Sequence, residues 1–165
     1  MAVKFEDRSI QVKAALNDVT IAWLHEWANE ITSHAQRNCT TGESYSSQLR
    51  GSYSNRVDEK QGKATIGSPL EQAYWEEFGT GEHADTSKNG GKQGRKGWWV
   101  YSDKVKGNGG KTRTEAQAKA IAASDPTLHA TNGREPNYTL EKAFTANRAK
   151  AIADLERKLK EGTDK

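Results

Sequence analysis

The chain has 165 residues, a formal net charge of +3 and a mean hydropathy of −0.96. Val, Ile, Leu and Phe supply only 23 of its residues, below the ~20% under which disorder is suspected; the charge is too low for a disordered chain, and five Trp and five Tyr restore apolar area at roughly 150–250 Å² apiece. No run approaches the ~18 apolar residues of a membrane span, Met1 to Ser9 lacks the apolar stretch of a signal peptide, and a single cysteine, Cys39, excludes an internal disulfide framework or a cysteine-rich zinc site.

The expectation is a small-core folded chain that gains stability from contacts with other subunits. Val12, Leu16, Val19, Trp23, Trp27 and Ile31 step by four, three, four, four and four. That spacing predicts an amphipathic helix over residues 8–38, widened by Ala14, Ala15, Ala22, Ala28 and Ala35. From Gln48 to Asp58 the period changes. Leu49, Gly51, Tyr53, Asn55 and Val57 alternate with polar residues, which predicts a half-buried strand. Gln61-Gly62 reads as a turn and 63–67 as the returning strand of a hairpin. Ser68-Pro69 then predicts a capped short helix bearing Leu70, Ala73, Tyr74 and Phe78 and stopping at Gly79-Thr80-Gly81.

Residues 82–97 are Gly-rich and basic and read as an exposed loop. Trp98-Trp99-Val100-Tyr101 is strongly β-prone. Thr114 to Ser124 is Ala-rich and reads as a helix within an insertion spanning 103–135. Leu140, Phe144, Ala151, Leu155 and Leu159 form the stripe of a closing helix. Strands in the middle with helices at both ends predict an α+β fold. The expected form is one domain over 1–165: a long N-terminal helix and a C-terminal helix packed on one face of a small antiparallel sheet.

The residues suited to chemistry do not converge in sequence. His25, His34, His83 and His129 form no HExxH or HxH arrangement. Cys39 reads as a buried free thiol, His25 as a solvated side chain, and the neighbouring Glu76 and Glu77 as a charged helix face. No Gly-Lys-Ser/Thr phosphate loop follows a strand. The expectation is therefore no catalytic, cofactor or metal residue, and no enzyme.

One electrostatic feature stands out. Between Glu82 and Arg113 eight cations, among them Lys88, Lys92, Arg95 and Lys96, face three acids, with Trp98, Trp99 and Tyr101 interleaved. Cations beside stacking rings can grip nucleic acid without sequence preference. A small nucleic-acid-binding protein using residues 88–113 is thus one reading. The alternative is a solvated loop leading into a strand whose rings face the core or a subunit interface.

The stretch from Ala64 to Gly81, reading Ala-Thr-Ile-Gly-Ser-Pro-Leu-Glu-Gln-Ala-Tyr-Trp-Glu-Glu-Phe-Gly-Thr-Gly, resembles the gene-product-ten-like tail-component family of long-tailed bacteriophages. In that family a strand ending in Ile/Val-Gly leads to Ala-Tyr and then to Glu-Phe/Tyr-Gly-Thr. Thr41-Gly42 with Gln48-Leu49-Arg50-Gly51-Ser52 is similar to its Thr-Gly-x-Leu-Arg-x-Ser, with residues inserted after Gly42. Trp98 to Tyr101 is similar to the strand after its variable loop. Asn132-Gly133-Arg134-Glu135-Pro136 and the segment through Leu140, Ala143 and Phe144 are similar to its Gly-x-x-Pro and closing helix.

The resemblance implies a non-enzymatic virion protein, made in the host cytoplasm. It would form a homo-oligomeric ring, hexameric in the family, in the neck or at the head-facing end of the tail. The implied partners are further copies, the tail tube protein, head-closure or neck proteins and DNA in transit, with no membrane. Phe78, Gly79, Thr80 and Gly81 would shape the subunit's turn. Trp98, Trp99 and Tyr101 would face a neighbour, and Lys88, Lys92, Arg95 and Lys96 would sit on a loop that faces DNA or orders on assembly.

Overall fold

The computed structural model describes residues 9–42, 46–91, 94–102 and 111–163. They form five helices and six short strands, an α+β chain. The strands pair as three separate two-stranded antiparallel ladders, where one small sheet is expected from sequence. The chain groups into two compact units, 1–69 with 139–165, and 70–138, where the sequence reading takes 1–165 as one.

The first unit is built on α1 (Ser9–Asn38) and α5 (Thr139–Thr163), which pack against each other in antiparallel order. Alanines let the two backbones approach: Ala28 and Ala35 on α1 and Ala143 and Ala151 on α5 are all buried. Polar links run the length of the seam. Trp23 Nε1 donates to the Ala151 carbonyl (2.9 Å) and Trp27 Nε1 to Asp154 Oδ2 (3.1 Å). Asn147 Nδ2 lies 2.8 Å from His34 Nδ1, and Lys158 pairs with Glu26. Trp23 and Trp27 of the stripe that predicts α1 thus reach α5, with their indole N–H groups satisfied.

The hairpin β1 (Ser54–Asp58) and β2 (Lys63–Gly67) pairs in register from Ser54↔Gly67 to Asp58↔Lys63 and packs on α1. Asn55 Nδ2 donates to Asn29 Oδ1 (2.9 Å) and Thr32 Oγ1 (3.0 Å) of α1. Cys39 is buried and in no disulfide, as expected.

Two sequence readings are corrected in this unit. Residues 46–52 are a helix, α2 (Ser46–Ser52), and not the start of the strand. Leu49 and Tyr53 are both buried while Gly51 is exposed. A spacing of four is two strand periods and also about one helical turn, so these two anchors fit either period and the intervening glycine decides. Ser68 does not cap the next helix. Its Oγ lies 2.6 Å from Ser52 Oγ, and α3 (Glu71–Phe78) opens after Leu70 with no side-chain cap.

In the second unit β3 (Thr80–Gly81) pairs with β6 (Gly133–Arg134), and β4 (Trp99–Ser102) with β5 (Leu128–Thr131). Helix α4 (Glu115–Ala122) packs on the β4–β5 ribbon through the fully buried Ala118. Its start carries a full capping box: Thr114 Oγ1 accepts from Gln117 N, and Gln117 Oε1 accepts from Thr114 N. Asp125 Oδ1 accepts from the backbone N–H and hydroxyl of Thr127 (both 2.8 Å), turning the chain into β5.

Asp154 joins the two long helices electrostatically. Trp27 Nε1, Lys158 and Arg157 donate to its carboxylate and hold its pKa down at about 2. A depressed carboxylate stabilises the fold above its unfolded-state value and loses that contribution as pH falls through the folded value. Asp154→Asn is therefore expected to lower the urea midpoint at pH 7. The gap to wild type should close between about pH 4 and pH 2, which denaturation by circular dichroism across that range will check.

Candidate functional site

The candidate site grows out of α3, whose buried face is not the apolar one. Tyr74 and Trp75 are exposed and Phe78 is half-buried, with the Tyr74 and Phe78 rings in tilted contact at 5.0 Å. Ala73, Glu76 and Glu77 face inward, and Glu76 has no exposure at all. The reading of Glu76 and Glu77 as a charged outer helix face is overturned. The cause is a partner distant in sequence. Arg134 Nη2 meets Glu76 Oε2 at 3.0 Å, Asn137 Nδ2 donates to Oε1 (2.8 Å), and Asn137 N donates to the Glu76 carbonyl (2.8 Å). A buried carboxylate is tolerable when an ion pair and hydrogen bonds replace its water.

The turn after α3 is made from glycine. Gly79 has φ 72° and ψ −179°, a region open essentially to glycine alone. A Cβ there would stand 2.6 Å from the Arg134 carbonyl oxygen and 2.9 Å from Pro136 N. At Gly81 a Cβ would meet Asn132 O at 2.1 Å and the Trp99 indole at 2.6 Å; at Gly133 it would meet Thr80 O at 2.1 Å; at Gly94, Gly81 O at 1.8 Å. Four glycines thus let three backbone segments cross with no side chain between them. Around the crossing, Glu82 N donates to Asn132 O (2.9 Å) and Arg134 N to Thr80 Oγ1 (3.1 Å).

Two further carboxylates lock the loop that follows. Glu82 accepts from Gly97 N (2.9 Å) and Asn132 Nδ2 (3.2 Å), and these bonds, the backbone one first, lower its pKa. Asp85 accepts from Ser87 N (3.0 Å) and from the Tyr138 hydroxyl (2.7 Å). Hydrogen bonds from Ser87 and Tyr138 lower its pKa in turn. Tyr138 is held at φ 50°, outside the usual range for a side-chain-bearing residue, with Lys88 Nζ 4.4 Å above its ring. His83 Nδ1 lies 2.6 Å from Glu135 Oε1.

The residues expected from sequence fall into place as follows. Phe78, Gly79, Thr80 and Gly81 form the turn and β3, at the centre of the crossing. Trp99 packs on Gly81, with the Arg95 guanidinium 5.2 Å from its ring. Trp98 bridges to Arg113, and Lys119 Nζ lies 5.3 Å from its ring. Tyr101 is 39% exposed and stacks on His129 at 5.1 Å. Lys88 and Lys96 are exposed and Arg95 half-buried, while Lys92 lies outside the described residues. Segment 82–91 is tied down more than an exposed loop, since Asn89 is buried and Asp85 N donates to the Phe78 carbonyl (2.8 Å).

Sequence reasoning missed Glu82, Asp85, Asn137, Tyr138 and His129. The signal for Asn137 and Tyr138 lay beside the quoted Asn132 to Pro136 motif. Among the described residues no group of His, Cys, Asp and Glu is placed to hold a metal ion, and no helix is long and apolar enough to cross a membrane. What the arrangement does chemically is fix backbone shape, with carboxylates accepting from donors that lie far apart in sequence.

No protein family model, curated protein or solved structure matches the chain.

The glycine crossing makes a graded prediction. Gly79→Ala meets both a forbidden backbone region and three close backbone atoms, those of Arg134, His83 and Pro136, so its cost should exceed the ~1–3 kcal/mol of strained φ/ψ alone. Gly90 has φ 76° but open space around it, so Gly90→Ala should cost about 1 kcal/mol. Urea unfolding of the two variants checks the order, and equal costs would contradict the crowded crossing.

Proposed function

We propose that the chain is a non-catalytic, ring-forming structural protein of a tailed phage or prophage. In this reading it joins tail to head in the neck or at the tail's head-facing end and leaves a channel for DNA. The observation that carries the reading is the crossing itself. Two of the stretches that resemble the tail-component family, the one from Ala64 to Gly81 at its end and the one from Asn132 to Pro136, lie far apart in sequence and pair as β3 and β6, tied by Glu76 and Arg134. Motif residues that serve one another structurally are what a building block requires.

The physical character of the chain supports the same reading. Most of its buried apolar residues are alanines, a thin core for this length. Each of the six described strands belongs to a two-stranded ladder, so none is paired with described strands on both edges. Tyr74, Trp75, Tyr101, Phe144 and Ile152 expose large apolar area. Surfaces of this kind suit a subunit completed by its copies, and a closed ring needs a heterologous interface between them. Six copies follow the family pattern. The tail tube protein on one side and head-closure or neck proteins on the other would be the ring's neighbours, and the virion its final location.

The test is negative-stain microscopy of particles assembled without this protein. DNA-filled heads and separate, unjoined tails are expected. Joined infectious particles at normal titre would overturn the proposal.

A further inference from the structure

Helix α5 gives one face to α1 and leaves another uncovered. Ala143 and Ala151 are buried on the α1 side, and Asn147, Asp154 and Lys158 reach His34, Trp27 and Glu26 from it. Away from that side, Phe144, Arg148, Ile152 and Glu156 form a single row at steps of four. Phe144 is 54% exposed and Ile152 48%, the two most exposed large apolar side chains described. Arg148 and Glu156 are exposed as well, and Leu155 and Leu159 beside the row are half-buried. Thr145, Ile152 and Leu159 recur every seven residues, as do Arg148 and Leu155. That is the spacing of a seam between two helices.

The charges on the row are laid out for a partner. The positions three and four away from Arg148 are Phe144, Thr145, Ala151 and Ile152, so its own helix offers it no acid within reach. Glu156 lies two turns further on, about 12 Å along the axis, too far to pair with it. Ile152 sits midway between the two.

We propose that this face binds the same face of a second copy of the chain, with the two α5 helices antiparallel about a two-fold axis at Ile152. In that register Ile152 packs on the partner's Ile152. Arg148 meets the partner's Glu156 at one end of the contact, and the symmetry repeats the pair at the other. Thr145 faces the partner's Leu159. A parallel arrangement would set Arg148 against Arg148 and Glu156 against Glu156, so the charges select the antiparallel one. A purely apolar partner would leave Arg148 without a counter-charge. A second copy supplies the acid at the required spacing and an apolar residue between. The seam from Phe144 to Leu159 is about 22 Å long and one helix wide, at the small end for specific interfaces, so the dimer is a weak one. An isologous contact closes at two copies, whereas a ring needs a heterologous one. The inference therefore does not rest on the ring proposal: it is tested on the purified chain and the ring on particles, and either can fail alone.

The experiment is sedimentation equilibrium of the full chain from about 5 to 500 μM, where a monomer–dimer equilibrium with a Kd of roughly 10–100 μM is expected. Arg148→Glu and Glu156→Arg, each alone, oppose like charges at both ends of the seam and should weaken the dimer roughly 10-fold or more. An equimolar mixture of these two variants should recover dimerisation, and so should one chain carrying both changes. Ile152→Asp should stay monomeric throughout, and circular dichroism will verify that each variant is folded. A folded wild type that is monomeric at the highest concentration would overturn the inference and leave the face to a different protein. Single reversals that dimerise like wild type, a mixture that recovers nothing, or larger assemblies indifferent to both reversals would overturn it equally.

Discussion

The second unit hangs on one buried charge. Glu76 has no solvent exposure, and an ionised carboxylate without water costs several kcal/mol unless other groups replace the lost hydration. Arg134 and Asn137 are those groups, and both lie in the stretch that also supplies β6. Satisfying Glu76 therefore brings the end of α3 against residues 133–137. Once they are together, only glycine fits where Gly79, Gly81 and Gly133 sit. The positive φ at Gly79 and the strained Tyr138 are consequences of that contact, held in place by the hydrogen bonds around them. Burying a charge is a poor route to stability and a better one to a single defined geometry, since alternative packings would leave Glu76 unpaired.

The first unit reaches definition by another route. Alanines allow α1 and α5 to meet closely, and the two tryptophans add area and directional hydrogen bonds across the seam. Asp154 gathers Trp27, Arg157 and Lys158 at one end of that seam. Among the described residues the buried apolar side chains are mostly alanines, and both units leave big rings or aliphatic side chains exposed, such as Trp75 and Phe144. A chain with this economy has its shape set by specific polar contacts and leaves several large apolar side chains exposed. That division of labour underlies the ring proposal.

Much of the helical architecture was legible in the sequence. The stripe of α1, the alanine-rich α4 and the closing helix follow from periodicity, because long amphipathic helices write their buried face into the spacing of apolar residues. The stop of α3 and the turn after it were legible from Gly79-Thr80-Gly81. The buried face of α3 was not, since Tyr74 and Phe78 imitate an apolar stripe and Glu76 is buried only because Arg134 comes to meet it. Helix α2 was hidden because Leu49 and Tyr53 satisfy two periods at once. The very short β3 and β6 are defined by pairing across a long separation and carry no local signal. For the candidate site, the turn residues could be named from sequence, but the residues that lock it are visible only once the fold has brought them together.

The most direct test of this account is a double-mutant cycle on the buried pair. Glu76→Gln, Arg134→Gln and the double variant would be compared with wild type by urea unfolding. Each single variant should be strongly destabilised, toward the ~3–5 kcal/mol of a broken buried pair, and the double variant should cost less than the sum by about 1–3 kcal/mol. Costs that add within ~0.5 kcal/mol would mean that the pair does not organise the crossing, and the account of the second unit would fail.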